Sequence, residues 1–228
     1  VVRVQRTVEG VQVDYSHAPS QRAMRINARA VILAVPRPIT ARIVDDANLS
    51  LQTETFRYTP WAVANITLDR PPKGMGEALS WDNVVYDSPL LGYVVATHQH
   101  LRSVPGATVL TYYWPLTHTE PEIARREAQG RSHEVWSAVF LAELHRIHPE
   151  LRDSVRQVDV WIWGHGMIRP EPGFIWGEVR RRAAEHQPPY FFAHSDLSGI
   201  SVFEEAYTRG VHAAEAAVKF IKSTRAVS

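Results

Sequence analysis

The strongest constraint on the fold is a short apolar run near each end of the chain. Ala30–Val35 is continuously apolar and stops at Pro36, and Tyr190–Ala193 is followed by a polar turn. Such runs, bounded by proline or small polar residues, are typical of strands buried on both faces of a sheet. A long helix is predicted after the second run, over Val202–Ile221, with a face of small residues that can lie close to a sheet. These features together predict an α/β fold.

The residues before the first apolar run are predicted to form a small antiparallel meander with a turn at Gly10. Three short segments carry the strand pattern: Val1–Val4, Val11–Tyr15 and Met24–Ile26. Glycine at the turn and the alternation of apolar and polar residues are both typical of hairpins. The meander therefore feeds one central strand, Ala30–Val35.

The middle of the chain predicts a mixed sheet with a helix. Four further segments have strand patterns: Ala62–Leu68, Tyr93–Ala96, Ala107–Tyr113 and Val158–Trp163. A helix is predicted from Ser132, whose hydroxyl can cap the first turn. Its apolar residues recur at steps of three or four: Trp136, Phe140, Leu144, Ile147 and Leu151.

Composition excludes several classes of protein and site. The chain has no cysteine, which rules out disulfides, thiolate metal sites, cysteine nucleophiles and a flavin tethered through a thioether. A formal net charge of +1 gives no basis for a nucleic-acid partner. No run approaches the roughly 18 consecutive apolar residues of a membrane span. The sequence lacks a starting Met and a visible export signal, so we expect a fragment of a longer protein and favour the cytoplasm.

The segment His194–Gly199 joins the second apolar run to the C-terminal helix. A polar turn before a helix start exposes backbone N–H groups that favour an anionic or electron-rich ligand. Asp196 could accept hydrogen bonds from ligand hydroxyls there. A simpler interpretation stays open, in which Asp196 or Ser198 only caps the helix.

The order of residues from Phe191 onwards is distinctive. It contains Phe191–Asp196, Gly199, Phe203–Ala206, Gly210 and Ala213–Ala214. This order resembles the C-terminal flavin-binding segment of the flavin-containing amine oxidases, which phytoene-desaturase-like enzymes share. The meander and the apolar strand that ends at Pro36 resemble the same family. The resemblance implies part of a flavin-binding Rossmann-like domain in residues 1–36 and 186–228, with a mixed-sheet substrate lobe in residues 37–185.

The resemblance also implies a cofactor, FAD, and residues that would contact it. Val1 would offer backbone groups near the adenine, and Asp196 would lie by the ribityl chain with Ser195 beside it. Backbone N–H groups around Phe203 and Glu204 would face the pyrimidine edge of the flavin, with Glu205 in the same segment. The implied reaction is hydride transfer to flavin from a C–H bond of a small-molecule substrate.

The chain departs from the family pattern at several positions. His194 and Glu205 stand where the family has glycine, and Val202 stands where monoamine oxidases have one wall of an aromatic cage. The glycine-rich G-x-G-x-x-G fingerprint is absent, so we expect the missing N-terminal half of the FAD domain to be a partner and this fragment alone to be inactive. Two alternatives stay open: a phytoene-desaturase-like enzyme acting on polyenes or lipids, and a cofactor-free binding domain.

The segment around Trp163 and His165 supplies the candidate catalytic residues. His165 lies between Gly164 and Gly166, which allow its backbone to approach another group closely. We expect Trp163 and His165 to line the substrate cavity, with His165 able to bind or shuttle a proton. The alternative is a structural turn that carries a surface histidine.

The remaining polar clusters have simpler interpretations. His98 and His100 could share one face of a strand, but no third metal ligand accompanies them. Three polar residues of the predicted helix are best explained as surface residues: Glu143, His145 and His148. Arg180–Arg182 is predicted to be a solvated basic face.

Overall fold

The fold contains both helices and strands; the computed structural model describes residues 1–49, 51, 53–74, 79–98 and 106–225. The strands are β1 (Arg3–Thr7), β2 (Gly10–His17), β3 (Arg22–Ala28), β4 (Val31–Leu33), β5 (Val44–Asp45), β6 (Tyr58–Leu68), β7 (Asp82–Val84), β8 (Gly92–Val95), β9 (Thr108–Pro115), β10 (Val155–Ile168) and β11 (Tyr190–Phe192). The α-helices are α1 (Arg37–Ile43), α2 (Pro121–Gly130), α3 (His133–Ile147), α4 (Glu178–Ala183) and α5 (Phe203–Arg225). The predicted α/β fold class is confirmed.

The chain divides into two compact units. Unit 1 consists of Val1–Arg57 with Ile168–Ser228, and unit 2 consists of Tyr58–Met167. The division expected from the sequence assigns residues 37–57 and 168–185 to the substrate lobe, whereas in the structure they pack with the terminal segments. The functional assignment of each unit stays a prediction.

The predicted meander forms a sheet in unit 1 with the strand order β3-β2-β1-β5. β1 and β2 pair antiparallel, with Thr7 opposite Gly10. β2 and β3 also pair antiparallel. Val4 of β1 and Val11 of β2, on the two inner strands, are each 1% exposed. Burial of these apolar side chains fixes the register, since a shift by one residue would expose them.

β4 and β11 pair in parallel in unit 1, with Val31–Leu33 opposite Tyr190–Phe192. All three residues of β11 are buried. The prediction that β4 is buried on both faces is wrong, because Ile32 is 42% exposed. β4 belongs to a sheet of two strands in the described part of the chain, and such a sheet covers little surface.

α5 packs on β11 through part of its predicted small-residue face. Ala213 and Ala217 are buried in a cluster with Phe191 and Ala193. The prediction of one continuous packed face is too broad, because Ala206 and Ala214 are exposed. Ala206 and Ala214 lie on a different side of the helix, and only the residues that face β11 are covered.

The core of unit 2 lies on one face of a sheet with the strand order β10-β6-β9-β8-β7. Alternate residues of β6 and β9 enter this core, among them Ala62, Ala64, Ile66, Leu110 and Tyr112. α3 contributes Trp136, Phe140 and Leu144 to it, as its periodicity predicts. The hydroxyl of Ser132 caps α3 by accepting a hydrogen bond from the Val135 N–H at 3.4 Å.

Candidate functional site

The polar turn after β11 is a 3-10 helix, Ser195–Ser198, that carries a buried carboxylate. Asp196 is 1% exposed and Ser195 is 8% exposed. α5 begins at Phe203, so neither Asp196 nor Ser198 is its N-cap residue, and that interpretation is wrong. The predicted cofactor residues of this segment therefore lie in one short connection between a buried strand and a long helix.

His194 contacts the buried carboxylate. Its Nδ1 lies 3.1 Å from Oδ2 of Asp196 and 3.2 Å from the backbone nitrogen of the same residue. One ring nitrogen cannot both donate to the carboxylate and accept from the N–H. The Asp196 N–H donates to this nitrogen, so His194 is the N-cap residue of the 3-10 helix. His194 thus contacts both the backbone N–H and the carboxylate of Asp196.

Two arginines hold the turn through hydrogen bonds. Arg180 of α4 and Arg209 of α5 both donate to the backbone carbonyl of Leu197. Nε of Arg209 also donates to Oγ of Ser198 at 2.8 Å. Burial lowers the pKa of both arginines, helped at Arg180 by the charge of Arg181 and at Arg209 by the charge of Arg180. The prediction of a fully solvated basic face is wrong for Arg180, because its side chain folds back onto this turn.

The start of α5 presents its first turn on the surface. Phe203 is 77% exposed, and its ring lies 6.3 Å from that of Tyr207 in a stacked arrangement. Glu204 is exposed, whereas Glu205 is half-buried and its charge acts on Arg180 and Arg209. N–H groups in the first turn of a helix have no intrahelical acceptor, so this turn can donate hydrogen bonds outwards.

The structure places Val1 elsewhere in unit 1, directly before the meander sheet. Val1 is 67% exposed, and the next residue, Val2, donates its N–H to the Asp14 carbonyl at 2.8 Å. The connection from β11 to α5 thus unites Ser195, Asp196 and the residues around Phe203, but Val1 lies apart from it, just before the first strand of the meander.

Trp163 and His165 lie in β10 of unit 2. Trp163 is 58% exposed and His165 is also exposed. Val158, Val160 and Ile162 pack against the core, so strand alternation puts Trp163 on the opposite face of the sheet. The ring of His165 meets that of Tyr58 edge-on at 5.6 Å. Their catalytic roles stay a prediction.

The two glycines beside His165 serve contacts within the unit. The Gly164 carbonyl accepts a hydrogen bond from Nε of Arg125 at 2.7 Å. A Cβ atom at Gly166 would lie 2.7 Å from Cδ1 of Trp61, which is too close for any other residue without a shift. The close approach that these glycines predict is therefore made to Arg125 and Trp61.

Polar groups line the face of the unit 2 sheet that points away from the core. We call this the open face. Oγ1 of Thr111 donates to Oδ1 of Asn65 at 2.7 Å, and the Tyr113 hydroxyl donates to Asp82. Burial, together with the Asp82 carboxylate, raises the pKa of Tyr113 to about 12. Sequence reasoning missed Asn65, Asp82 and Thr111, although residues of this face alternate with the apolar core positions of the same strands.

The other histidine interpretations need correction. His98 lies in a turn with its Nδ1 2.9 Å from the Val95 carbonyl, and His100 lies outside the described residues. Glu143 and His148 were expected at the helix surface but are 9% and 4% exposed. In the part of the chain that the structure describes, no group of three or more potential ligands is arranged to hold a metal ion.

Comparisons with known proteins give similarity at the level of the fold. No protein-family model and no curated protein match the sequence. Cyclohexylamine oxidase from Brevibacterium oxydans IH-35A matches with a TM-score of 0.67 and 15% identity, over 96% of this chain and 48% of its own. The chain has an amine oxidase-like fold.

Two further structures support the same fold. A triple mutant of putrescine oxidase matches with a TM-score of 0.67 and 20% identity, over 96% of this chain and 48% of its own. Reduced UDP-galactopyranose mutase matches with a TM-score of 0.66 and 12% identity, over 96% of this chain and 46% of the mutase chain. The chain thus spans about half the length of the structures that it matches. Among the described residues, no helix has the length and apolar character to cross a membrane.

Proposed function

We propose that this chain is about half of an FAD-dependent oxidoreductase with an amine oxidase-like fold. Unit 1 would complete the FAD-binding domain, and unit 2 would form the substrate lobe. The observation that carries the proposal is the connection from β11 to α5, where a buried carboxylate precedes an exposed helix start. Its support is the match of 96% of the chain to oxidase structures.

The residues of this connection fit one part of FAD. Asp196 and Ser195 would accept or exchange hydrogen bonds with the ribityl hydroxyls, and the N–H groups of Phe203 and Glu204 would donate to the pyrimidine edge. Glu205 would act indirectly, because its charge balances the two arginines that hold the turn. Val1 would contribute backbone groups toward the adenine. A phosphate-binding glycine loop is absent from this sequence, so the preceding half would have to supply it.

The open face of unit 2 would hold the substrate. When bound, FAD would accept a hydride from an activated C–H bond and pass the electrons to oxygen or a quinone-type acceptor. Trp163 would exclude water and orient the substrate, and His165 would bind it or move a proton at its ring nitrogen. Alternation along β10 puts the Asp159 carboxylate on this face, and Asp82 lies there too. These carboxylates favour a cationic amine over a polyene.

The surface of α5 favours a polypeptide partner for unit 1. Phe203, Tyr207, Val211 and Val218 lie on one side of the helix and are between 37% and 77% exposed. A soluble domain rarely leaves such a stripe uncovered. Because the matched structures are about twice as long as this chain, we propose that the N-terminal half of the same protein covers the stripe.

Asp196→Ala in the complete protein tests the site. Loss of charge-assisted hydrogen bonds to the cofactor should weaken FAD binding at least about tenfold. The flavin content per folded protein would be read from the visible absorbance of the protein as purified, with melting temperature as the check on folding. Asp153→Ala, at an exposed aspartate of unit 2, is the control. Unchanged flavin content in Asp196→Ala would show that the site assignment is wrong.

One observation favours the cofactor-free binding domain as a second candidate. The carboxylate of Asp196 already has a partner in His194, which occupies a position where the family has glycine. If His194 keeps that contact in the complete protein, a ligand must compete with it. The protein would then retain the fold without flavin.

A further inference from the structure

β4 pairs with β11 through one of its two backbone edges. The Val31 N–H donates to the Pro189 carbonyl at 3.0 Å, and the Leu33 carbonyl accepts from the Ala193 N–H at 3.0 Å. Because backbone groups alternate along a strand, the N–H and carbonyl of Ile32 point away from β11. Within the part of the chain that the structure describes, no strand pairs with this outer edge of β4, and no group is hydrogen-bonded to Ile32 there.

The outer edge of β11, in contrast, is closed by the chain that precedes it. The Tyr190 N–H donates to the Gln187 carbonyl at 2.9 Å, and the Gln187 N–H donates to the Tyr190 carbonyl at 3.0 Å. The Phe192 N–H donates to Nδ1 of His186 at 3.2 Å. A further strand would have to break these bonds in order to pair with β11. The sheet can therefore grow at the outer edge of β4 without such a loss.

The side chains of β4 indicate the same edge. Ile32 lies opposite Phe191 in the parallel register, so the two side chains share one face of the sheet. Phe191 is 1% exposed and packs with Ala30 in the cluster that α5 covers, whereas Ile32 is 42% exposed. The continuous apolar run Ala30–Val35 is typical of a strand inside a larger parallel sheet. The sequence of β4 thus fits a central strand, although this chain leaves it at an edge.

We propose that an apolar strand from the other half of the same polypeptide pairs with β4 in parallel. Its backbone would exchange hydrogen bonds with Ile32, and its side chains would cover the Ile32 side chain. An unpaired backbone edge with an exposed apolar side chain is the arrangement to which an added strand binds. The inference rests on the proposed function in one respect, that the chain is about half of a longer protein, and it does not depend on bound FAD.

The length of the edge favours the same polypeptide over a second copy of this chain. β4 spans only Val31–Leu33, so a strand added to it gains few hydrogen bonds. Covalent connection gives such a strand a high effective concentration, which a separate molecule lacks. The matched structures are about twice as long as this chain, so their fold contains enough additional polypeptide to supply the strand.

Hydrogen exchange of the complete protein, measured at single amides by mass spectrometry, tests the pairing. Ile32 and Leu33 are the matched pair, because the backbone of Leu33 already faces β11. Both amides should exchange at least about a thousandfold more slowly than in an unstructured peptide. Protection of Leu33 together with fast exchange at Ile32 would overturn the proposal. Protection of Ile32 that disappears on dilution would assign the edge to a second copy and overturn it as well.

Ile32→Lys in the complete protein tests the cover over the side chain. Lysine blocks strand addition at an edge and is costly to bury. Ile123→Lys, at a residue of α2 in unit 2 that is 40% exposed, is the control of matched exposure. The melting temperature of Ile32→Lys should be lower by roughly 5 °C or more. Equal melting temperatures would contradict the proposal. A colourless protein with a protected Ile32 amide would sink the flavin function and still support the strand.

Discussion

The carboxylate of Asp196 is almost out of contact with water and needs hydrogen-bond donors close by. His194 is one of its neighbours, at 3.1 Å. A ligand hydroxyl that reached this carboxylate would share it with the imidazole. The flavin-binding and the cofactor-free interpretation therefore differ at one residue pair: His194 either supports the carboxylate beside a ligand or takes the place of the ligand.

The surroundings of a single side chain, His148, predict that the stability of the fold depends on pH. Its Nε2 lies 2.7 Å from the Tyr93 hydroxyl, whose pKa burial raises to about 12, so the hydroxyl keeps its proton and can donate it. Burial lowers the pKa of His148, although Glu150 acts in the opposite direction. Folding thus favours the neutral ring. Stability should fall as the pH drops below the unfolded-state pKa of about 6.5 and on through the lower folded pKa.

Urea unfolding at a series of pH values between about 7 and 5 measures this effect. We expect the free energy of unfolding of His148→Gln to fall less over that range than that of the wild type. His118→Gln, at a half-exposed histidine, serves as the control and should follow the wild type. A pH dependence of His148→Gln equal to that of the wild type would contradict the account.

At the scale of elements, the turn between β11 and α5 depends on Gly199. This residue has φ 80°, and its N–H donates to the Asp196 carbonyl at 2.9 Å. A Cβ atom there would lie 3.2 Å from Cγ1 of Ile175. Gly199→Ala should therefore lower the free energy of unfolding by about 1–2 kcal/mol, the usual cost of a left-handed conformation for other residues.

Gly130→Ala is the matched control for this substitution. A Cβ atom at Gly130, the last residue of α2, would meet nothing within 4 Å. The free energy of unfolding of Gly130→Ala should stay unchanged or rise by up to about 1 kcal/mol, because alanine favours the helix. Chemical unfolding of both variants compares them directly. Equal effects of the two substitutions would show that the turn does not require glycine.

Periodicity predicted the elements that bury a regular pattern. The meander, β6, β9, β10, α3 and α5 all follow from alternation or from steps of three and four. α1 was missed because Pro36 and Pro38 indicate a boundary between structural elements, yet proline is also favoured in the first turn of a helix. α2 was missed because only Pro121, Ala124 and Ala128 are buried, and small residues give a weak pattern.

The site was predictable only in part, because sequence position does not report long-range pairing. Asp196 could be singled out from its place after an apolar strand. The two arginines that hold its turn come from α4 and α5, and nothing local in the sequence connects them to Leu197. The Tyr113–Asp82 contact likewise joins strands that are distant in sequence.

At the scale of the whole molecule, each unit by itself carries groups that the proposed function would use. Unit 1 provides a buried carboxylate, a helix start and an exposed apolar stripe, and unit 2 provides a sheet with aromatic and acidic groups on its open face. A glycine-rich phosphate loop is absent from the sequence. We therefore expect that a second polypeptide segment is needed before FAD can be held firmly.

The visible absorption spectrum of the complete protein, purified without added cofactor, shows whether the protein holds FAD. We expect a flavin spectrum that bleaches under anaerobic reductant, and a much weaker or absent spectrum for the present chain alone. A colourless complete protein that also fails to take up added FAD would contradict it and favour the cofactor-free binding domain.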